Sequence, residues 1–371
     1  MTTGIGIIGC GTISGAYLRT LTRAPGVRLA AVADLDLARA RVQADAFGVP
    51  HALEPDALLA HDDVALVVDL TIPGAHFDVN RQALEAGKDV YSEKPLSATA
   101  AEARALVALA RDRGVALGGA PDTFLGAGLQ TARAALDQGV VGRPFAAVAH
   151  MVSSGPERWH HDPRFLYQTG AGPLLDMGPY YVTAMVSLFG PVASVIADAH
   201  RTWPERTIGS GPRAGQTFPV EMDTHVTALL RFASGVTATL LTTFDVAASD
   251  LPRFEVFGEE GTLSLPDPNV FAGPVRVRTE SKGAWREVPQ VPGFGGNARG
   301  LGALELRLAT AAGRPPRASG ELASHVLDVL EGALTAARSG QRVAIDSRPP
   351  RPAALTTEEL AALGWTPEVS A

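Results

Sequence analysis

Short apolar runs alternate with amphipathic stretches through the first third of the chain. Gly4–Ile8 is an unbroken apolar run, as expected of a parallel strand buried on both faces. Gly15–Ala24 reads as a helix, Val27–Ala33 as the next strand, and Leu37–Phe47 as a helix stopped near Gly48. Val64–Leu70 is another buried strand, followed by a helix over His76–Ala86 with Gly87 at its C-terminal cap. Asp89–Glu93 is a strand, Ala98–Arg113 a helix opened by Ser97 or Thr99, and Val115–Gly118 a further strand. Such βαβ alternation predicts a doubly wound parallel sheet.

After Gly128 the pattern changes. A helix over Leu129–Gln138 and a strand over Phe145–Val152 lead into a loop-rich stretch, Ser153–Gly172, and then a helix over Leu174–Phe189. Strand-like runs follow at Val192–His200, Asp223–Phe232, Val236–Asp245, Arg253–Gly258, Thr262–Pro266 and Val275–Glu280. Gly-containing turns join them, which predicts a large, mainly antiparallel open sheet. Asp223, His225 and Asp245 read as sheet-face residues on these strands. Helices over Gly300–Ala312 and Glu321–Ser339 close the chain, with loops at Gly295–Gly302 and Arg348–Pro352. The fold class is therefore α/β plus α+β, with domains over residues 1–121 and 122–371 and a tail from about 346. Thr227–Phe232 and Val236–Thr243 carry apolar residues or Thr on both alternating sets, which suits a sheet covered on both faces and hence a homodimer or homotetramer.

Composition sharpens this picture. Of 371 residues, 46% are hydrophobic and 19% charged, which excludes wholesale disorder. Net charge is −7 with no basic block, arguing against nucleic acid or an anionic membrane as partner. The one cysteine, Cys10, has no partner within the chain, and the N-terminus lacks a charged signal-peptide region, so a cytoplasmic protein is expected. No HxxxH, CxxC or paired-carboxylate spacing suggests a metal site.

The first strand runs into Gly9-Cys10-Gly11-Thr12-Ile13-Ser14-Gly15 and then a helix. Gly9 and Gly11 fit the first two glycines of the dinucleotide fingerprint, one for the tight turn and one for close approach to a pyrophosphate. Ser14 takes the third position, and the amides of Thr12 and Ile13 would face the phosphates from the helix start. The second strand ends at Asp34, placed to accept from the adenosine ribose hydroxyls. A carboxylate there repels a 2′-phosphate, and neither Leu35 nor Asp36 offers a compensating arginine, so NAD(H) is expected over NADP(H). The first domain is thus of the Rossmann type.

Three further segments resemble the Gfo/Idh/MocA oxidoreductase family. They are Thr71-Ile72-Pro73 with His76, Glu93-Lys94-Pro95, and Gly170 to Tyr181 with Asp176 and Tyr180. The resemblance implies cofactor contacts from Thr71, Pro73, His76, Glu93 and Lys94, and oxidoreduction of a sugar, sugar derivative or cyclitol. Oxidising a secondary alcohol needs a proton acceptor at its oxygen while hydride leaves its carbon. Lys94 is the candidate to stabilise that oxygen, its pKa lowered beside a cationic nicotinamide, with Glu93 fixing its loop or touching the nicotinamide ribose.

The family's third motif carries Asp and, four residues later, His on one helix face. Here Asp176 is retained and Tyr180 stands at the histidine position. A neighbouring ammonium lowers a phenol's pKa, so a Lys94–Tyr180 couple would move the proton; Tyr180 alternatively packs or binds substrate through its hydroxyl. Trp159 and His160 precede this motif, Trp159 suited to a sugar platform and His160 reading either as a surface loop residue or as a substitute acid/base. Asp122 falls at the interdomain crossing, where it either binds a substrate hydroxyl or plays no part in the site. The same resemblance also covers NAD-retaining glycosidases and dihydrodiol or biliverdin-type reductases. A catalytically silent NAD-sensing regulator is the alternative of another class.

Overall fold

A computed structural model describes residues 2–366. Strand β1 (Thr3–Ile8) leads through the glycine loop into α1 (Ser14–Leu21). The alternation continues with β2 (Val27–Ala33), α2 (Leu37–Phe47), β3 (His51–Leu53), α3 (Pro55–Leu59), β4 (Leu66–Asp69), α4 (His76–Glu85), β5 (Asp89–Ser92), α5 (Ala100–Arg113) and β6 (Leu117–Gly119). All six strands are parallel, in the order β3-β2-β1-β4-β5-β6. The order reverses between β1 and β4, so the carboxyl ends of those strands flank the crevice where doubly wound sheets take ligands. Local chemistry sets the helix ends. Asp36 caps α2 by accepting from the Ala38 amide, and Gly48 ends it in the left-handed region. Thr99 and Glu102 form a capping box at the start of α5.

The second half runs through α6 (Ala127–Asp137), β7 (Pro144–Val152), α7 (Gly172–Phe189), β8 (Val192–His200), β9 (Glu205–Thr207), β10 (Thr217–Pro219), β11 (His225–Phe232) and β12 (Thr237–Thr243). It ends with β13 (Phe254–Gly258), β14 (Gly261–Leu265), β15 (Arg276–Arg278), β16 (Arg286–Glu287), α8 (Leu301–Ala311), α9 (Gly320–Ser339), β17 (Val343–Ala344) and α10 (Thr357–Ala362). Nine strands join in the order β16-β15-β14-β13-β7-β12-β11-β8-β17, antiparallel except for the β7–β12 pair. Strands β9 and β10 form a separate hairpin.

On β11, Val226, Ala228, Leu230 and Phe232 are buried, while Thr227, Leu229 and Arg231 are exposed. One face of the large sheet packs on α7 and α9. The opposite face of a single chain is open, with Leu229 and Phe145 exposed, so the cover expected on both faces is present within the chain on only one.

Helices α8 and α9 tie the two sheets together. The Gly119 amide donates to Ala318 O at 3.0 Å, α8 packs on β5 and β6, and α9 lies between α5 and β8. The C-terminal segment thus returns to the first sheet, a contact that no local pattern announces. β17 lies just before the expected tail and α10 within it; the tail's residues beyond 366 lie outside the described residues.

Candidate active site

The glycine loop is built as its spacing requires. Gly9 sits at φ +100°, and a Cβ there would stand 2.6 Å from the Leu70 carbonyl at the end of β4. Any side chain would therefore push apart the two strand ends that form the crevice. A Cβ on Gly11 meets nothing within 4 Å, so the space this glycine leaves opens outward. Ser14, in place of the third glycine, closes the loop by donating to Gly11 O at 2.7 Å. Helix α1 has no side-chain cap, and the Thr12 and Ile13 amides find no acceptor among the described residues. That arrangement is an anion-ready helix start.

Asp34 joins this loop to β2. Its Oδ2 accepts from the Cys10 amide at 2.8 Å and its Oδ1 from the Asp36 amide at 2.9 Å. Leu35 and Asp36 offer no arginine, but a residue further along does. Arg39, in the first turn of α2, brings Nη1 to 3.7 Å from Asp34 Oδ2. Burial pushes the Cys10 thiol up to about 12, so it stays a thiol in the loop.

Lys94 and the start of α7 meet across the two halves of the chain. Lys94 Nζ donates to Asp176 Oδ1 at 2.6 Å and to Asp176 O at 2.9 Å. It also lies 5.7 Å from the centroid of the Tyr180 ring. The spacing of four on α7 therefore presents both side chains to Lys94. Gly178 between them lets α7 approach α9, since a Cβ would stand 2.8 Å from Leu330. Glu93 fixes the loop, accepting from Tyr17 Oη at 2.7 Å and from the Lys94 amide at 2.9 Å.

The electrostatics differ from the sequence expectation. Burial pulls Lys94 down, but Asp176, helped by Tyr180 and Glu93, outweighs it and holds the ammonium above its ordinary range. Burial likewise outweighs the ammonium at Tyr180, whose pKa is raised although Lys94 and Arg299 both lower it. The resting pair is an ammonium and a neutral phenol.

Two expected ligand residues are turned inward. His76 is fully buried, its Nδ1 at 2.6 Å from Pro95 O and its Nε2 at 3.0 Å from Thr71 O. It braces the Lys94 loop against the end of β4 and presents no free ring atom to a cofactor. Asp122 is 1% exposed and accepts through Oδ2 from the Gly300 and Gly302 amides at 2.9 and 3.0 Å. It anchors the start of α8, and burial pushes its carboxyl up to about 6. Thr71 donates through its amide and hydroxyl to Asp69 Oδ1, and Pro73 is exposed at the crevice rim. Trp159 is exposed, while His160 stacks on His161 at 4.8 Å and takes the Asp162 amide at Nδ1. No recorded contact joins His160 to Lys94, Asp176 or Tyr180.

Residues 3–119 match the model of an oxidoreductase family with an NAD-binding Rossmann fold, and residues 129–264 match the GFO/IDH/MocA C-terminal domain. The chain belongs to the Gfo/Idh/MocA oxidoreductase family. Among the relatives of this family member is dTDP-3,4-didehydro-2,6-dideoxy-alpha-D-glucose 3-reductase of Streptomyces antibioticus, 34% identical over 70% of this chain and 74% of the relative. Inositol 2-dehydrogenase 1 of Saccharopolyspora erythraea is 29% identical over 72% of this chain and 75% of its own. Levoglucosan dehydrogenase, solved with NADH and levoglucosan, superposes with a TM-score of 0.80 over 94% of this chain and 100% of its own, at 21% identity, a likeness of fold. The crevice fits the family's cofactor. There is open space over Gly11, the Thr12 and Ile13 amides at the start of α1 have no acceptor among the described residues, and Leu35 and Ile72, just after β2 and β4, are exposed. Among the described residues no cluster of three metal-ligating side chains occurs, and no helix is long and apolar enough to cross a membrane.

Proposed function

We propose that this protein transfers hydride between NAD(H) and a secondary alcohol or carbonyl of a sugar, sugar derivative or cyclitol, with Lys94, Asp176 and Tyr180 acting on the substrate oxygen. The observation that carries this reading is the Lys94–Asp176 contact at 2.6 Å with Tyr180 one turn along the same helix. Bound NAD(H) supplies the hydride acceptor or donor. Gly9, Gly11, Thr12 and Ile13 would hold its pyrophosphate, Asp34 its ribose, and Thr71, Pro73 and Glu93 line its path. Lys94 donates a hydrogen bond to the substrate oxygen, offsetting the negative charge that develops there. Asp176 aims the ammonium. Tyr180 gives its proton to that oxygen in reduction and takes one back in oxidation. The named activities of the relatives on sugars and cyclitols support the substrate class. Following NADH formation over a panel of sugars, inositols and nucleotide-linked deoxysugars tests the reading, and no turnover in either direction on any of them rejects it.

Asp34 leads us to expect tighter binding of NAD than of NADP, because a 2′-phosphate would be forced against a carboxylate already holding two amides. Asp34→Ser should narrow the ratio by raising NADP affinity, since Arg39 stays in place to meet the phosphate. Equal dissociation constants for the two cofactors in the unmodified protein, measured by fluorescence titration, would contradict this.

We also propose that copies associate through the open sheet face. Leu229 is paired in register with Ile196 and Thr239, which gives an apolar strip beside β-branched and small neighbours. Light scattering at micromolar protein should return the mass of a dimer or tetramer; a single-chain mass rules the interface out. The reduced single cysteine supports a cytoplasmic setting.

A further inference from the structure

Arg299 lies in the loop before α8, where the sequence suggests only a connection. It is half-buried and makes no ion pair among the described residues. Its Nη1 donates to Asn297 Oδ1 at 3.0 Å and its Nη2 to Asn269 Oδ1 at 2.8 Å. Two neutral side-chain acceptors therefore fix the guanidinium plane, with no carboxylate in direct contact with it among the described residues. The guanidinium carbon lies 6.0 Å from the centroid of the Tyr180 ring. The loop is itself clamped. Asp122 holds the Gly300 and Gly302 amides, and Gly300 turns the chain at φ +104°, where a Cβ would stand 3.3 Å from Tyr17.

Tyr180 thus has a cation on two sides. The charged or titratable groups facing it are Glu93 and Lys94 after β5, Tyr91 of β5, and Arg299 before α8. On its own helix Asp176 is engaged by Lys94. Asp176 is in direct contact with Lys94, whereas Arg299 feels Asp122 and Glu93 without a direct ion pair among the described residues, which leaves its guanidinium available to Tyr180.

We propose that Arg299 is a positioning residue for Tyr180, fixing the phenol ring and stabilising the phenolate left when its proton passes to the substrate oxygen. This rests on the reading of Tyr180 as the acid/base group. In reduction the carbonyl carbon gains hydride from the bound cofactor and the carbonyl oxygen gains the Tyr180 proton. The Tyr180 oxygen keeps the electron pair as phenolate, and oxidation reverses each transfer. Arg299 touches no reacting atom and acts through Tyr180.

The test follows Tyr180 directly, in the full chain without substrate. The protein has five tyrosines, so labelling with [13C]tyrosine gives few signals, and Tyr180→Phe identifies the one that matters. The sample is titrated upward from neutral pH until it unfolds. Arg299→Gln should move the Tyr180 midpoint up by about one pH unit, the effect of removing one nearby opposite charge, and Arg299→Lys should move it less. Arg299→Met, which keeps the packing of the stem, replaces the Gln variant if that one does not fold. An identical midpoint in wild type and variant overturns the proposal, as does a wild-type signal that stays still until unfolding. A loop brace alone would change melting and leave the midpoint in place. Failure of the underlying reading looks different: Tyr180→Phe then keeps full turnover on the best substrate of the panel, whatever the titration shows.

Discussion

Lys94→Ala is expected to lower kcat about 10²–10⁴-fold while leaving NAD affinity nearly unchanged, the usual range for losing a placed proton-transfer or charge-stabilising group. The asymmetry follows from where the residue sits. Its ammonium contacts Asp176 and lies beside the Tyr180 ring. What it contributes is felt when charge builds on the substrate oxygen, so kcat and kcat/KM should fall together. Asp176, Tyr180 and Glu93 hold its pKa above the ordinary lysine value against the pull of burial. Sign matters here. A lysine with a raised pKa stays charged throughout the working range, so no limb of the free-enzyme pH profile should belong to it. The mobile proton is left to Tyr180, a neutral phenol until the pH climbs past its raised pKa. Lys94→Arg tests the geometry, because the charge persists while the planar fork cannot reproduce the paired contacts of one ammonium to Asp176 Oδ1 and O. A Lys94→Ala enzyme within about tenfold of wild-type kcat would remove Lys94 from the reaction.

How much of this was legible in the sequence depended on whether the signal was local. The glycine loop and Asp34 lie within one βαβ unit, and strand period, turn glycines and helix start all pointed the same way. Leu37–Phe47 was bounded correctly because Asp36 and Gly48 are local punctuation. Lys94, Asp176 and Tyr180 are singled out by the family resemblance, and α7 brings the last two to the first. Side-chain direction was not legible. His76 and Asp122 are polar residues near strand ends, which is where ligand residues also sit, yet both face inward to satisfy buried backbone groups. Arg39 was missed although the i,i+3 spacing from Asp36 carried a signal, since the first turn of a helix folds back on the residue that caps it. β3 and α3 were too short to show a period. Arg299 had no local signature at all. Its place depends on residues 122, 180 and 269, brought together only by the return of the chain to the first sheet.

Arg206→Met is expected to cost about 3–5 kcal/mol of stability, because it strands two buried carboxylates. Arg206 sits at the start of the β9–β10 hairpin with its side chain 10% exposed, between Glu157 at 8% and Asp245 at 5%. Nη1 donates to Glu157 Oε1 at 2.8 Å, and Nη2 donates to Asp245 Oδ1 and, at 3.1 Å, to Phe244 O. The guanidinium lies 4.5 Å from the Trp203 ring centroid and 5.7 Å from that of Tyr167. Asp245, expected to be a simple sheet-face residue, also accepts from Thr224 Oγ1 at 2.6 Å, and Tyr167 donates to Glu157. Methionine keeps most of the volume and all the flexibility, so the loss should report charge more than packing. Chemical denaturation of wild type and variant measures this, and a loss below about 1 kcal/mol would mean the pair behaves as a surface ion pair. The same network pins the segment from Glu157 to Tyr167, which carries Trp159 and His160. If that segment borders the substrate, KM should rise in the variant while kcat under saturation holds, because Lys94 and Tyr180 are fixed by other contacts.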